Sequence, residues 1–278
     1  MSAVTRRAFG NAAAYLFLSL TFVVSVFPFY WMFVLATRTT ADTNRFPPVV
    51  VPGGRFAENV GRVFENIDFF RALANTVVVA TVDTAATLFF SSLAAFALAC
   101  LRFRGRQVIF WFIVGTMMLP NALGVVPLYL LMTKLGWVNS LKAVIVPGLV
   151  SAFGVFWMKQ YAEQAVHPEL IESARMDGCG NFATYARIVL PLVAPGLATL
   201  GLLSFMFCWN DFVWPLIVLK DDAVITIQIA LRKLVSVYYR DNAMIMAGTF
   251  LATLPLLVAF LLFNRHIVAG ATEGAVKG

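Results

Sequence analysis

The chain has 278 residues, of which 60% are apolar and only 13% charged, with a mean hydropathy of +0.83. Soluble domains run at about a quarter charged residues, so a soluble enzyme is excluded and an all-α, polytopic membrane protein is expected. The formal charge of +7 is scattered over many loops instead of forming a stripe, which suits anionic membrane lipid and excludes a nucleic-acid partner.

Crossing a bilayer takes about 20 predominantly apolar residues, and six such runs are predicted in chain order. The first spans residues 11–37. It follows Thr5-Arg6-Arg7-Ala8-Phe9, which superficially resembles a twin-arginine signal, but the apolar stretch is too long for a signal-peptide core and is expected to stay as an anchor. The second, 73–100, carries Asp83 as its only charge, and the third covers 108–133. The fourth, 143–158, is short, so Lys142 and Lys159 are expected to snorkel to the two interfaces. The fifth, 193–219, is interrupted by Asp211, and the sixth is 243–263. No linker or large polar block divides the chain, so residues 1–278 read as one integral domain, with a cytoplasmic loop at 162–191.

Between the first two spans, Phe46-Pro47-Pro48 and Val51-Pro52-Gly53-Gly54 predict a turn-rich outer loop, followed by an amphipathic lead-in at 60–70. A later outer segment, 220–242, mixes charges with Tyr238 and Tyr239 and reads either as a partner-docking surface or as an ordinary solvated loop. Six spans put both termini on one side. With the N-terminus inside, ten of the 21 Lys and Arg residues lie on the inner side, so a raw count does not orient the chain. Density favours N-in: Arg102, Arg104 and Arg106 crowd one short inner loop without an acid.

Cys100, Cys179 and Cys208 are odd in number and widely spaced, which argues against a disulfide framework. With only His167 and His266 besides, there is little material for a metal site.

The most polar stretch lies between the fourth and fifth spans. Pro168 suits a first helical position, Glu169 and Glu172 favour the positive end of a helix dipole, and Gly178 suits a left-handed terminator. Asn181 is expected to cap a second short helix running through Tyr185 to Ile188 and ending before Pro191. From pattern alone this is either a docking element or a surface hairpin steadied by Glu172 against Arg175 or Met176.

Glu172-Ser173-Ala174, three residues, Gly178, nine residues and Ile188-Val189-Leu190-Pro191 together resemble the loop motif of membrane permease subunits of bacterial ABC importers. Ser173 replaces the usual Ala, small for small. Phe207-Cys208-Trp209-Asn210-Asp211-Phe212-Val213-Trp214-Pro215-Leu216 and the tail Gly270–Gly278 are similar to carbohydrate-uptake members of that family. The resemblance implies a type I ABC importer permease fold with six transmembrane helices, in the inner membrane, with both termini cytoplasmic. It further implies a second permease subunit, two ATPase subunits and an extracytoplasmic sugar-binding protein or lipoprotein as partners. Glu172, Ser173, Ala174, Asp177 and Gly178 are implied as the ATPase-coupling residues, and Glu273 and Lys277 as tail contacts.

No Gly-x-x-x-x-Gly-Lys-Ser/Thr loop occurs, so this chain is expected to bind no cofactor, with ATP and Mg used by the partner ATPase. Intramembrane acids are costly enough to mark function, and Asp83 and Asp211 are candidates for a translocation path. Asn121, Tyr129, Trp209 and Asn210 join them as residue types that hydrogen-bond or stack on sugars. The expected cargo is a di- or oligosaccharide. The alternatives are a glycerophosphodiester cargo or an ion-coupled secondary transporter, the latter leaving the loop motif without a purpose.

Overall fold

The computed structural model describes residues 3–235 and 240–275, with side chains described for 14–120, 122–235 and 240–261. Among these every regular element is helical. The first half holds α1 (Ala3–Ala36), α2 (Thr40–Thr43), α3 (Phe56–Asn66), α4 (Phe69–Cys100), α5 (Arg106–Met117), α6 (Asn121–Lys134) and α7 (Lys142–Gly148). There follow α8 (Ala152–Ala165), α9 (Pro168–Met176), α10 (Asn181–Thr184), a π-helical turn (Tyr185–Val189), α11 (Leu190–Leu192) and α12 (Ala194–Asn210). The last are α13 (Val213–Val218), α14 (Ile227–Lys233) and α15 (Asn242–Ala275).

Four stretches are long and apolar enough to cross a membrane: Ala14–Ala36, Phe69–Cys100, Lys142–Ala165 and Asn242–Leu261. Two bent pairs, Arg106–Met117 with Ala122–Lys134 and Asn181–Leu192 with Ala194–Asn210, bring the number to six if each counts as one span. The short fourth span of the sequence reading is corrected to Lys142–Ala165, 24 residues long. Lys159 therefore does not snorkel. It is only 8% exposed, its Nζ lies 2.8 Å from Glu163 Oε2 one helical turn on, and it sits 4.1 Å above the Phe110 ring. Carboxylate and ring together offset the cost of burying the ammonium. The fifth span ends at Asn210, and Asp211 is the extended residue that stops it.

The chain forms two compact units, one within Met1–Asp68 and Leu231–Leu254, the other within Phe69–Ala230 and Pro255–Gly278. In the first, the turn-rich loop is folded onto the end of α1. Asn59, buried on α3, donates from Nδ2 to the carbonyls of Ala36 and Arg38, both at 2.9 Å. Thr37 Oγ1 accepts from the Gly53 amide at 2.7 Å, and a side chain at Gly53 would strike the Thr37 carbonyl and Arg38. Asp241 accepts hydrogen bonds from the Thr40 hydroxyl, the Arg62 guanidinium and the Met244 amide. Burial disfavours its charge, but these donors outweigh burial and hold the carboxyl below the usual carboxylate range.

In the second unit α4 packs against α8 and α12. Its buried stripe, Thr76, Ala80, Asp83, Thr87, Ser91 and Ala95, repeats every three to four residues and is small or hydroxylated except at Asp83, the composition that lets membrane helices approach closely. Gly154 on α8 meets this stripe so tightly that a Cβ there would strike Ser91 Oγ. The outer segment expected as a possible docking surface is in part tied down: Ile225, Ile227, Ile229 and Ala230 are buried. Asn75 on α4 donates to the carbonyls of Ala223 and Ile225, and Thr76 Oγ1 accepts from the Ile227 amide at 2.8 Å. Tyr238 and Tyr239 lie outside the described residues.

Candidate functional site

The polar loop folds largely as its punctuation dictates. His167 is extended, Pro168 opens α9, Glu169 lies in its first turn and Arg175 in its last, so both charges complement the helix dipole. At the other end Gly178 has φ +76°. The Cys179 amide donates to the Ala174 carbonyl at 2.9 Å and the Gly178 amide to the Arg175 carbonyl at 3.0 Å. Those two bonds define a Schellman closure, which satisfies carbonyls that would otherwise be orphaned and requires a left-handed residue at the glycine.

The second helix departs from expectation in two ways. Gly180, not Asn181, holds the extended N-cap position, and Asn181 is the first helical residue, with no side-chain cap bond. The helix also continues past Pro191. Proline lacks the amide hydrogen an α-turn needs, and its ring strikes the carbonyl four residues back. Tyr185–Val189 widens into a π turn, in which the Leu190 amide reaches the Tyr185 carbonyl, and this makes room for the ring. At Val193 the chain then bends by 76° into α12.

Helix α9 is seated by its inward face. Ile171 (5% exposed) belongs to one buried cluster with Ala95 and Phe96 of α4, Met158 and Ala162 of α8, Tyr185 and Val189 of the π turn, and Leu200 of α12. Ala174, implied by the resemblance as a coupling residue, is only 3% exposed and faces inward with Ile171. Its small side chain serves the chain's own packing. The outward face is Glu172, Ser173, Met176 (88% exposed), Asp177 and Gly178, with Phe182 exposed beyond them. Glu172 pairs with Arg102 at 3.7 Å, both exposed, instead of with the helical neighbours Arg175 or Met176. A cavity of about 280 Å³ lies between α9 and the end of α4, lined in part by Arg102, Arg106, Glu163, Ile171, Glu172 and Arg175.

The intramembrane acids come together. Asp83 (7% exposed) accepts from the Cys208 thiol at 2.9 Å and abuts Gly148, where any Cβ would collide with its carboxylate. Asp211 and Trp214 line the same cavity of about 230 Å³. The partners of Asp83 lie 65 and 125 positions along the chain, which is why sequence spacing did not reveal them. Asp211 also lies against the backbone amides of Phe212, Val213 and Trp214 at the start of α13, while the Trp214 indole donates to the Ala143 carbonyl at 2.9 Å.

The remaining path candidates do not converge there. Trp209 is 2% exposed and stacks on Phe205, and Asn210 bonds back to the Met206 carbonyl. Tyr129 is half-buried on α6 and is not among the residues lining this cavity. The side chains of Asn121 and Glu273, and Lys277 altogether, lie outside the described residues.

The model of the family described as "Binding-protein-dependent transport system inner membrane component" matches residues 87–271, which include the whole polar loop. The chain belongs to this family. Among its relatives, the lactose transport system permease protein of Rhizobium radiobacter is 34% identical over 277 residues and covers both chains completely. The arabinooligosaccharides transport system permease protein of Halalkalibacterium halodurans is 32% identical, covering 92% of each chain. The sn-glycerol-3-phosphate transport system permease protein of Rhizobium meliloti is 31% identical over 97% of this chain and 99% of its own. A crystal structure of a bacterial ABC transporter involved in the import of the acidic polysaccharide alginate includes a chain with the same fold, at TM-score 0.78 and 24% identity, covering 95% and 98% of the two chains. The chain is thus an ABC importer permease, a multi-pass inner-membrane transport component that works with a binding protein. That family membership sets aside the ion-coupled alternative.

Proposed function

We propose that this permease works beside a second permease and two ATPase subunits to import a di- or oligosaccharide delivered by an extracytoplasmic binding protein. Helix α9 is its cytoplasmic coupling element, and both chain termini lie in the cytoplasm. The carrying observation is that Ile171 on the exposed α9 is packed into the same buried cluster as the membrane helices α4, α8 and α12. A push on the outward face at Glu172, Ser173 and Asp177 therefore reaches the spans through close-packed side chains that yield little. Gly178 keeps the lever short by closing the helix, and Ala174 keeps it seated. ATP and Mg act on the partner subunits, and Glu273 and Lys277 contribute tail contacts to them.

A neutral, hydroxyl-rich cargo is supported by the lactose and arabinooligosaccharide relatives. The sn-glycerol-3-phosphate relatives favour a phosphorylated polyol as the second reading. The test is the complete assembly in proteoliposomes with its binding protein. Sugar-stimulated ATP hydrolysis and uptake should both fall at least tenfold in Glu172→Ala and Gly178→Pro. Wild-type rates in both variants would overturn the coupling assignment, and stimulation by glycerol phosphate alone would overturn the sugar.

A further inference from the structure

We propose that the turn Leu101–Arg106 is a binding site for the phosphate of an anionic lipid headgroup, placed so that its occupant competes with Glu172 for Arg102. The turn joins the end of α4, long and apolar enough to cross a membrane, to α5, the first half of a bent pair that counts together as one span, which places it near headgroup depth. It carries three arginines and no acid. Arg102, Phe103, Arg104 and Arg106 by themselves line an open concavity of about 380 Å³, room for a phosphate with its glycerol. Arg106 donates to the Leu101 carbonyl at 3.2 Å and so holds the turn closed, while Arg104 is exposed with no ion pair among the described residues. Gly105, left-handed at φ +86°, is the N-cap of the twelve-residue α5, whose first amides have no side-chain cap, so backbone donors supplement the guanidinium groups. Phe103 is exposed between two arginines, the amphipathic arrangement that favours a membrane interface.

Arg102 faces two ways. It lines this concavity and also the cavity beneath α9, where its partner is Glu172. A lipid phosphodiester carries the same single charge as a carboxylate and can take the guanidinium in the same bidentate way, while the pair with Glu172 is exposed and 3.7 Å long, so an occupied turn competes for Arg102 and frees Glu172. This consequence, though not the lipid site, rests on the coupling role proposed for α9.

The test uses the purified complete importer in nanodiscs of phosphatidylcholine alone or with phosphatidylglycerol, and counts retained phosphatidylglycerol by native mass spectrometry. Retention should fall about fivefold for each arginine removed in Arg102→Ala and Arg104→Ala. Phosphatidylglycerol should raise stimulated ATPase activity in the wild type but not in the double variant. Unchanged retention in the double variant would overturn the site, as would displacement of the lipid by millimolar inorganic phosphate, or loss of the ATPase subunits with lipid retained. Reduced retention with an unaltered lipid dependence of ATPase activity would overturn the competition with Glu172. Because lipid counting needs no transport, failure of the importer reading leaves the site's own test intact.

Discussion

The hydroxyl of Tyr185, in the π turn, and Oγ of Ser92, on α4, lie 2.8 Å apart and buried. They form a polar link between the polar loop and a membrane span. In a low-dielectric setting such a bond matters most when one partner is removed, because the other is left unsatisfied at about 1–3 kcal/mol. Ser92 Oγ also donates to the Phe89 carbonyl at 3.0 Å, so Tyr185 is the donor of the pair: Ser92→Ala should lower thermal stability in detergent by about that amount, Tyr185→Phe by less, and the double variant by clearly less than the two added. A double-mutant cycle monitored by thermal aggregation measures this directly, and strict additivity would show that the two hydroxyls act independently.

Gly178 sits at φ +76° with open space where a side chain would stand, so its requirement is conformational and not steric. Gly178→Ala should cost about 1 kcal/mol and Gly178→Asn less, because asparagine tolerates the left-handed region. Gly178→Pro should be the most damaging, since proline is confined to negative φ and removes the amide that bonds to Arg175. The order Asn, Ala, Pro in stimulated ATPase activity checks this.

Gly148 has the opposite requirement. A Cβ there collides with the Asp83 carboxylate, so Gly148→Ala should displace Asp83 and break its contact with Cys208. Cys208 should then react several-fold faster with a small methanethiosulfonate, and adding Asp83→Ala should recover the stability lost in Gly148→Ala. Unchanged thiol reactivity in Gly148→Ala would show that the carboxylate moves without involving the cysteine.

Asp241 gives a pH prediction. Its carboxyl is held below the ordinary range in the folded chain, so its contribution is fully present above the unfolded value of about 3.9 and is lost as pH falls through the lower folded value. Thermal stability attributable to this group should be flat from neutral pH to about pH 5 and decline below about pH 4. Asp241→Asn should be less stable at neutral pH, by about 1–3 kcal/mol, and should show a shallower acid decline.

Sequence carried the local features well. Pro168 and Gly178 bound α9 because helix-end chemistry is decided within a few residues, and the spans follow from runs without charge. It carried the long-range ones poorly. Gly148 and Cys208 reach Asp83 only through helix packing, and Lys159 reads as an interface anchor because its partner Phe110 is 49 positions away. Pro191 reads locally as a stop signal, and only the widened turn before it allows the helix to continue. Ala174 belongs to a recognisable motif, but which of the motif's residues face outward depends on what α9 packs against.

The central claim is that the outward face of α9 meets a cytoplasmic ATPase. It is tested most directly by Met176→Cys on a chain whose three native cysteines are replaced by serine, assembled with its partners. The account expects Met176→Cys to crosslink to the ATPase subunit with a yield that changes on adding ATP, and to resist a membrane-impermeant maleimide applied from outside. Labelling from outside, or no crosslink to the ATPase subunit in any nucleotide state, would contradict it.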